Sequence, residues 1–82
     1  MAPRPAPDEA LAAALRELRE ERDESQETLA ARAGITTGSL ARIELGQAGP
    51  AWVTVRQIAT ALNVGMRELG AAVERMEARL SP

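Results

Sequence analysis

Every side-chain cation in this 82-residue chain is an arginine, ten in all, and there is no Lys, His or Cys. Imidazole general bases, Schiff-base lysines, thiolate nucleophiles, zinc–thiolate sites and a phosphate-loop lysine are therefore all missing. Carboxylates and hydroxyls remain, but no paired base activates them. An enzyme is not expected, and neither is a cofactor or a metal site. What these residues do well is hydrogen-bond. Arg42 is the first candidate: taking 100° per residue, Thr36, Leu40, Ile43 and Glu44 fall on one side of a helical stretch, and Gly38, Ala41, Arg42 and Leu45 on the other. Thr37 lies at the flank. A guanidinium facing away from Leu40 and Ile43 suits a guanine edge, where a bidentate pair is worth about 1–3 kcal/mol of discrimination. The plainer reading is a solvated arginine or a bond to a nearby carboxylate. Thr37 is either a base-edge contact or part of a helix cap.

Net charge is −2 and the isoelectric point is about 5.1. Non-specific attraction to nucleic acid comes from cations on phosphates, so this balance weighs against it. Distribution matters more than the sum. Residues 1–25 hold four Arg against seven carboxylates, residues 26–50 two against two, and residues 51–82 four against three. The acid sits at the front. Its run Glu20, Glu21, Asp23, Glu24 reads as a solvated helix end, or else as a contact for a protein such as RNA polymerase. No apolar run approaches the roughly 20 residues a membrane span needs. Met1–Pro7 lacks the apolar segment of a secretory signal. A soluble, cytoplasmic protein with no membrane partner is expected, and the absence of Cys suits a reducing compartment.

The length fits one domain with a thin core. Residues 1–7 alternate Pro with small residues and Arg, which predicts an extended, mobile tail. Asp8 is a candidate N-cap, and Leu11, Leu15 and Leu18 predict an amphipathic helix over about 9–22. Ser25 caps a second helix with Leu29, Ala30 and Ala33 on its apolar stripe, and Gly34 ends it. Thr36 caps a third helix, closed by Gly46. Pro50 precedes a fourth, about Ala51 to Leu62, carrying Trp52, Val55, Ile58, Ala59 and Leu62. Asn63 suits a left-handed stop, and a fifth helix runs from about Met66 to Leu80. β-branched residues never alternate, so no strand is predicted.

The stretch Ser25–Gly46 is two short helices joined by a Gly-containing turn, which specifies a helix-turn-helix. It resembles the phage-repressor-like, Cro/repressor-type helix-turn-helix family, also called the xenobiotic-response-element family. The resemblance runs from about Leu11 to Leu69 through Leu15-Arg16-Glu17-Leu18-Arg19, Ser25-Gln26, Leu29-Ala30, Ala33-Gly34-Ile35, Leu40, Arg42-Ile43-Glu44, Gly46, Pro50, Ile58-Ala59, Ala61-Leu62, Val64 and Glu68-Leu69. It implies an all-α, five-helix lambda-repressor-like DNA-binding bundle with an extended C-terminal helix. It implies double-stranded DNA as ligand and a homodimer reading an inverted repeat. By the same resemblance Thr37, Gly38 and Arg42 take base-reading positions, and Thr36 and Ser39 take phosphate positions. Gln26 clamps a phosphate and braces the recognition helix, and Arg19 and Glu44 form a structural pair. The chain departs from the pattern at Gly38, which has no side chain, at Leu45, where a polar residue is common, and at Ala51, which cannot cap. The expected organisation is a tail (1–7), a DNA-binding domain (8–69) and a C-terminal helical extension (70–82).

Leu69, Val73, Met76 and Leu80 are spaced 4, 3 and 4. That heptad-like seam is expected to form the dimer interface, the alternative being packing on the chain's own core. Trp52, the only aromatic residue, is expected as a core or fourth-helix anchor, with an interface role as the alternative. Two other classes of function stay open. One is an antitoxin-type protein that binds a toxin and its own promoter. The other is a helix-turn-helix used as a protein-interaction module without DNA.

Overall fold

Asp8 opens the first helix by accepting a hydrogen bond from the Leu11 amide at 2.9 Å. The computed structural model describes residues 8–82, so the expected tail, residues 1–7, lies outside the described residues. Five helices follow in order: α1 (Glu9–Glu21), α2 (Gln26–Ala33), α3 (Thr37–Glu44), α4 (Trp52–Ala61) and α5 (Met66–Leu80). All regular structure among the described residues is helical, and the fold is an all-α five-helix bundle. None of these helices is long and apolar enough to cross a membrane.

The helix starts follow local chemistry. Ser25 accepts from the Thr28 amide at 3.0 Å and Thr36 from the Ser39 amide at 3.0 Å, each satisfying an otherwise free amide of a first turn. α4 and α5 begin on Ala51 and Gly65 with no side-chain cap. The connections after α1, α2, α3 and α4 close by one device. Asp23, Gly34, Gly46 and Asn63 take positive φ, at 52°, 76°, 73° and 58°. The amide after each returns to the carbonyl five residues back: Glu24 to Arg19 at 3.3 Å, Ile35 to Ala30 at 3.0 Å, Gln47 to Arg42 at 2.9 Å and Val64 to Ala59 at 2.9 Å. Helix-end carbonyls are thereby satisfied without solvent. At Gly34 a Cβ would meet nothing within 4 Å, so its backbone angle, and not crowding, selects glycine.

The core draws on every helix. Leu15 and Leu18 of α1, Leu29 of α2, Leu40 of α3, Ile58 of α4 and Leu62 just after it are fully buried, each stabilising the fold by about 2 kcal/mol. α1 packs chiefly on α5, and α2 on α4. Ala14 and Ala72, both fully buried, are small enough for close helix packing.

Ala72 and Met76, in the expected C-terminal extension of α5, join the same core as Leu15 and Leu29. One expectation is corrected here. Trp52 is not a core anchor: it is 65% exposed. It is the first residue of α4, one turn ahead of Val55, and so lies beyond the core that Val55, Ile58 and Ala59 close.

Candidate nucleic-acid interface

The interface is built on a helix held from behind. α3 turns Leu40, Ile43 and Glu44 into the protein and leaves Thr37, Gly38, Arg42 and Leu45 exposed. A carboxylate in that inner set needs partners, since an unpaired buried charge is costly. Glu44 finds three donors. Arg19 Nε donates to its Oε2 at 2.8 Å and Arg19 Nη2 to its Oε1 at 2.9 Å. Gln26 Nε2 also donates to Oε1, at 3.1 Å. The fork-on-carboxylate geometry is the strong, directional form of such a pair.

Arg19 extends the network. Its Nη1 donates to the Glu24 carbonyl at 2.8 Å, so one guanidinium ties α1 to α3 and to the turn before α2. The hydrogen bonds to Glu44 hold the Arg19 pKa above its ordinary value. Partial burial works against that rise, and the charges of Glu44 and Glu20 add to it. α1, α2 and α3 thus meet at one carboxylate, which fixes the angle at which α3 is presented.

The outward residues differ in how free they are. Thr37 and Arg42 have no side-chain hydrogen bond to other described residues, whereas the Thr36 hydroxyl donates to Ser39 Oγ at 2.8 Å while accepting the Ser39 amide. Thr36 is therefore first a cap, and Ser39 keeps its own O–H for an external acceptor. Gln26 uses one amide N–H on Glu44 and keeps the other. Gly38 presents bare backbone, with nothing within 4 Å of a Cβ position. Among the described residues Arg16, Arg19, Arg22, Arg32 and Arg79 are ion-paired, and Arg42, Arg56, Arg67 and Arg75 are not. The acidic run is partly neutralised within the chain, Glu20 by Arg16 and Glu24 by Arg32.

Of the four residues expected at a dimer interface, Leu69 and Met76 are buried in the chain's own core, and Val73 packs partly against it. Only Leu80 is well exposed, at 52%. The α5 seam closes this chain's core because α1 lies directly on it. A positioning residue that the sequence reading passed over is Arg22. Its Nε donates to the Leu62 carbonyl at 2.9 Å and its Nη1 to the Leu18 carbonyl at 3.0 Å, joining the end of α1 to the end of α4. The available signal was an arginine at a helix C-terminus, a position from which it can donate to the last free carbonyls.

Comparison with known proteins agrees with this architecture. The family model described as a helix-turn-helix domain matches residues 10–73. The restriction-modification controller protein C.AhdI from Aeromonas hydrophila is 38% identical, with a TM-score of 0.72 over 74% of this chain and 92% of that one. The clp gene regulator ClgR from Corynebacterium glutamicum shares the fold at 24% identity, with a TM-score of 0.82 over 94% of this chain and 83% of that one. Among curated proteins none matches. A match spanning most of the bundle, from α1 well into α5, makes this chain a member of the helix-turn-helix domain family in its phage-repressor-like form, a family of DNA-binding transcriptional regulators.

Proposed function

We propose that the chain is a sequence-specific regulator that binds an inverted repeat as a homodimer, with α3 of each copy in the major groove. One observation carries the reading. Arg42 and Thr37 have no side-chain partner among the described residues and lie on the outer face of a helix whose inner face is locked by Arg19, Gln26 and Glu44. A reading helix needs both properties, free donors outward and a fixed approach angle. Arg42 meets a guanine edge and Thr37 a base edge or thymine methyl. Gln26, Ser39 and the capping Thr36 face backbone phosphates, aided by the free amides at the start of α2 and α3. Two-fold symmetry sets the second α3 about one helical turn, roughly 34 Å, along the duplex. Likeness to C.AhdI, a restriction-modification controller, supports a small regulator governed by its own concentration.

Selection from a random duplex library at near-physiological salt, with the parent and Arg42→Ala in parallel, tests this reading. An inverted repeat is expected from the parent, relaxed at one base step per half-site in the variant. If folded parent recovers no motif, the sequence-specific reading is wrong.

A further inference from the structure

A groove of about 650 Å³ runs between the start of α1, the start of α4 and α5. Trp52 and Met66 stand open in it, at 65% and 41% exposure, beside the half-buried Leu11 and Val73. An exposed lone tryptophan next to other open apolar side chains marks a surface built to be covered. Asp8 lines the same groove, so residues 1–7 are joined to it covalently. We infer that the occupant is the chain's own segment Met1–Pro7, laid across Trp52 in the polyproline II conformation with Arg4 against Glu74. Neither DNA binding nor a second copy of the chain is needed for it.

Length, composition and charge select this occupant. Along α5 the groove runs from Met66 to Glu77, which at about 1.5 Å per residue is about 16 Å of helix. Seven residues of polyproline II span about 22 Å, enough to cross it. Pro3, Pro5 and Pro7 alternate with Ala2, Arg4 and Ala6. Proline holds φ in the polyproline range before docking, so little conformational freedom is lost on contact. Apolar grooves that present an aromatic ring are the surfaces that take such segments. A polyproline II segment has no internal hydrogen bonds, so one polar contact must fix its direction. Arg4 carries the segment's one charged side chain. Across the groove Glu74 and Glu77 are exposed on one face of α5, and neither is ion-paired with another described residue. Arg4 lies four residues from Asp8, about 12 Å in polyproline II, which brings its long side chain within reach of Glu74 and leaves the proline rings for Trp52.

Trp52, the only aromatic residue, reports its own cover. In the full chain its emission is expected to lie to the blue of N-acetyltryptophanamide, to resist acrylamide quenching, and to stay the same on dilution. Arg4→Glu and Glu74→Arg are each expected to shift the docked–open equilibrium about fivefold or more toward the open form, read as a red shift and faster quenching, since each exchanges an attraction for a repulsion. The double exchange, Arg4→Glu with Glu74→Arg, is expected to restore the parent's quenching. Pro3→Gly with Pro5→Gly keeps the charges and removes the fixed φ, and is expected to open the groove as well. Far-UV circular dichroism confirms that each variant keeps its helices. Parent quenching as fast as that of N-acetyltryptophanamide would show the groove uncovered and overturn the inference. Emission that changes on dilution but not with Arg4→Glu would assign the groove to a second copy and overturn it too. If both single exchanges expose Trp52 and the double exchange does not restore it, Arg4 does not meet Glu74 and the docking is wrong as drawn. None of these readings uses DNA, so failure here is separate from failure of the regulator reading.

Discussion

Replacing Glu44 with Ala isolates the contribution of the junction between α1, α2 and α3. The substitution removes the acceptor of two Arg19 hydrogen bonds and one from Gln26. Arg19 keeps only its bond to the Glu24 carbonyl, and its side chain is only 13% exposed, so a charged fork is left largely enclosed. Breaking such a pair costs about 3–5 kcal/mol. A chain of this size has a total stability on the order of 4–12 kcal/mol, so the loss is a large fraction of it. With about 4–8 °C of melting temperature per kcal/mol in a small domain, even the lower cost lowers Tm by about 12 °C or more. Thermal and urea melts followed by circular dichroism read this directly. The double variant Arg19→Met, Glu44→Leu is expected to recover most of the stability, because an apolar pair removes both desolvation penalties. The Arg19 contribution also has a defined pH range. Its folded-state pKa is raised, so its stabilisation is complete below arginine's ordinary pKa and disappears only as pH climbs through the raised value. The gap between parent and Glu44→Ala is therefore flat between about pH 7 and 9. A loss below about 1 kcal/mol, the range of exposed ion pairs, would refute the reasoning that this pair fixes α3.

Other outcomes follow from single positions. Arg42→Ala leaves Tm nearly unchanged, within about 0.5 kcal/mol for an exposed side chain, and costs about 1–3 kcal/mol at one base step in competition binding. Gly34→Ala lowers stability by about 1–2 kcal/mol in urea melts, because Gly34 sits at φ +76° with no steric neighbour to relieve. Gly38→Ala raises it by up to about 1 kcal/mol, since that glycine is inside a helix facing open space. Ala51→Ser supplies the cap that α4 lacks and raises Tm by the equivalent of about 0.5–1 kcal/mol, while Thr36→Ala loses a similar amount at α3.

Much of this protein is decided within a few residues of chain. Caps at Asp8, Ser25 and Thr36 and left-handed stops at Gly34, Gly46 and Asn63 act through bonds that span no more than five residues. The helix order and approximate bounds, and the inward set Leu40, Ile43 and Glu44, were legible for that reason. Periodicity tells which side of a helix meets apolar surroundings, but not whose surroundings they are. Hence Leu69 and Met76, spaced like a coiled-coil seam, turned out to close the chain's own core. A position relative to the core end is likewise invisible in spacing, so Trp52 read as an anchor and lies open. The resemblance already implied the pairing of Arg19 with Glu44, but only the tertiary structure decided that Gln26 joins them on the same carboxylate and that Arg22 spans forty residues to the Leu62 carbonyl. Such contacts depend on the crossing of whole helices. That crossing is set by the summed packing of small and large side chains across the bundle, and no local stretch of sequence encodes it.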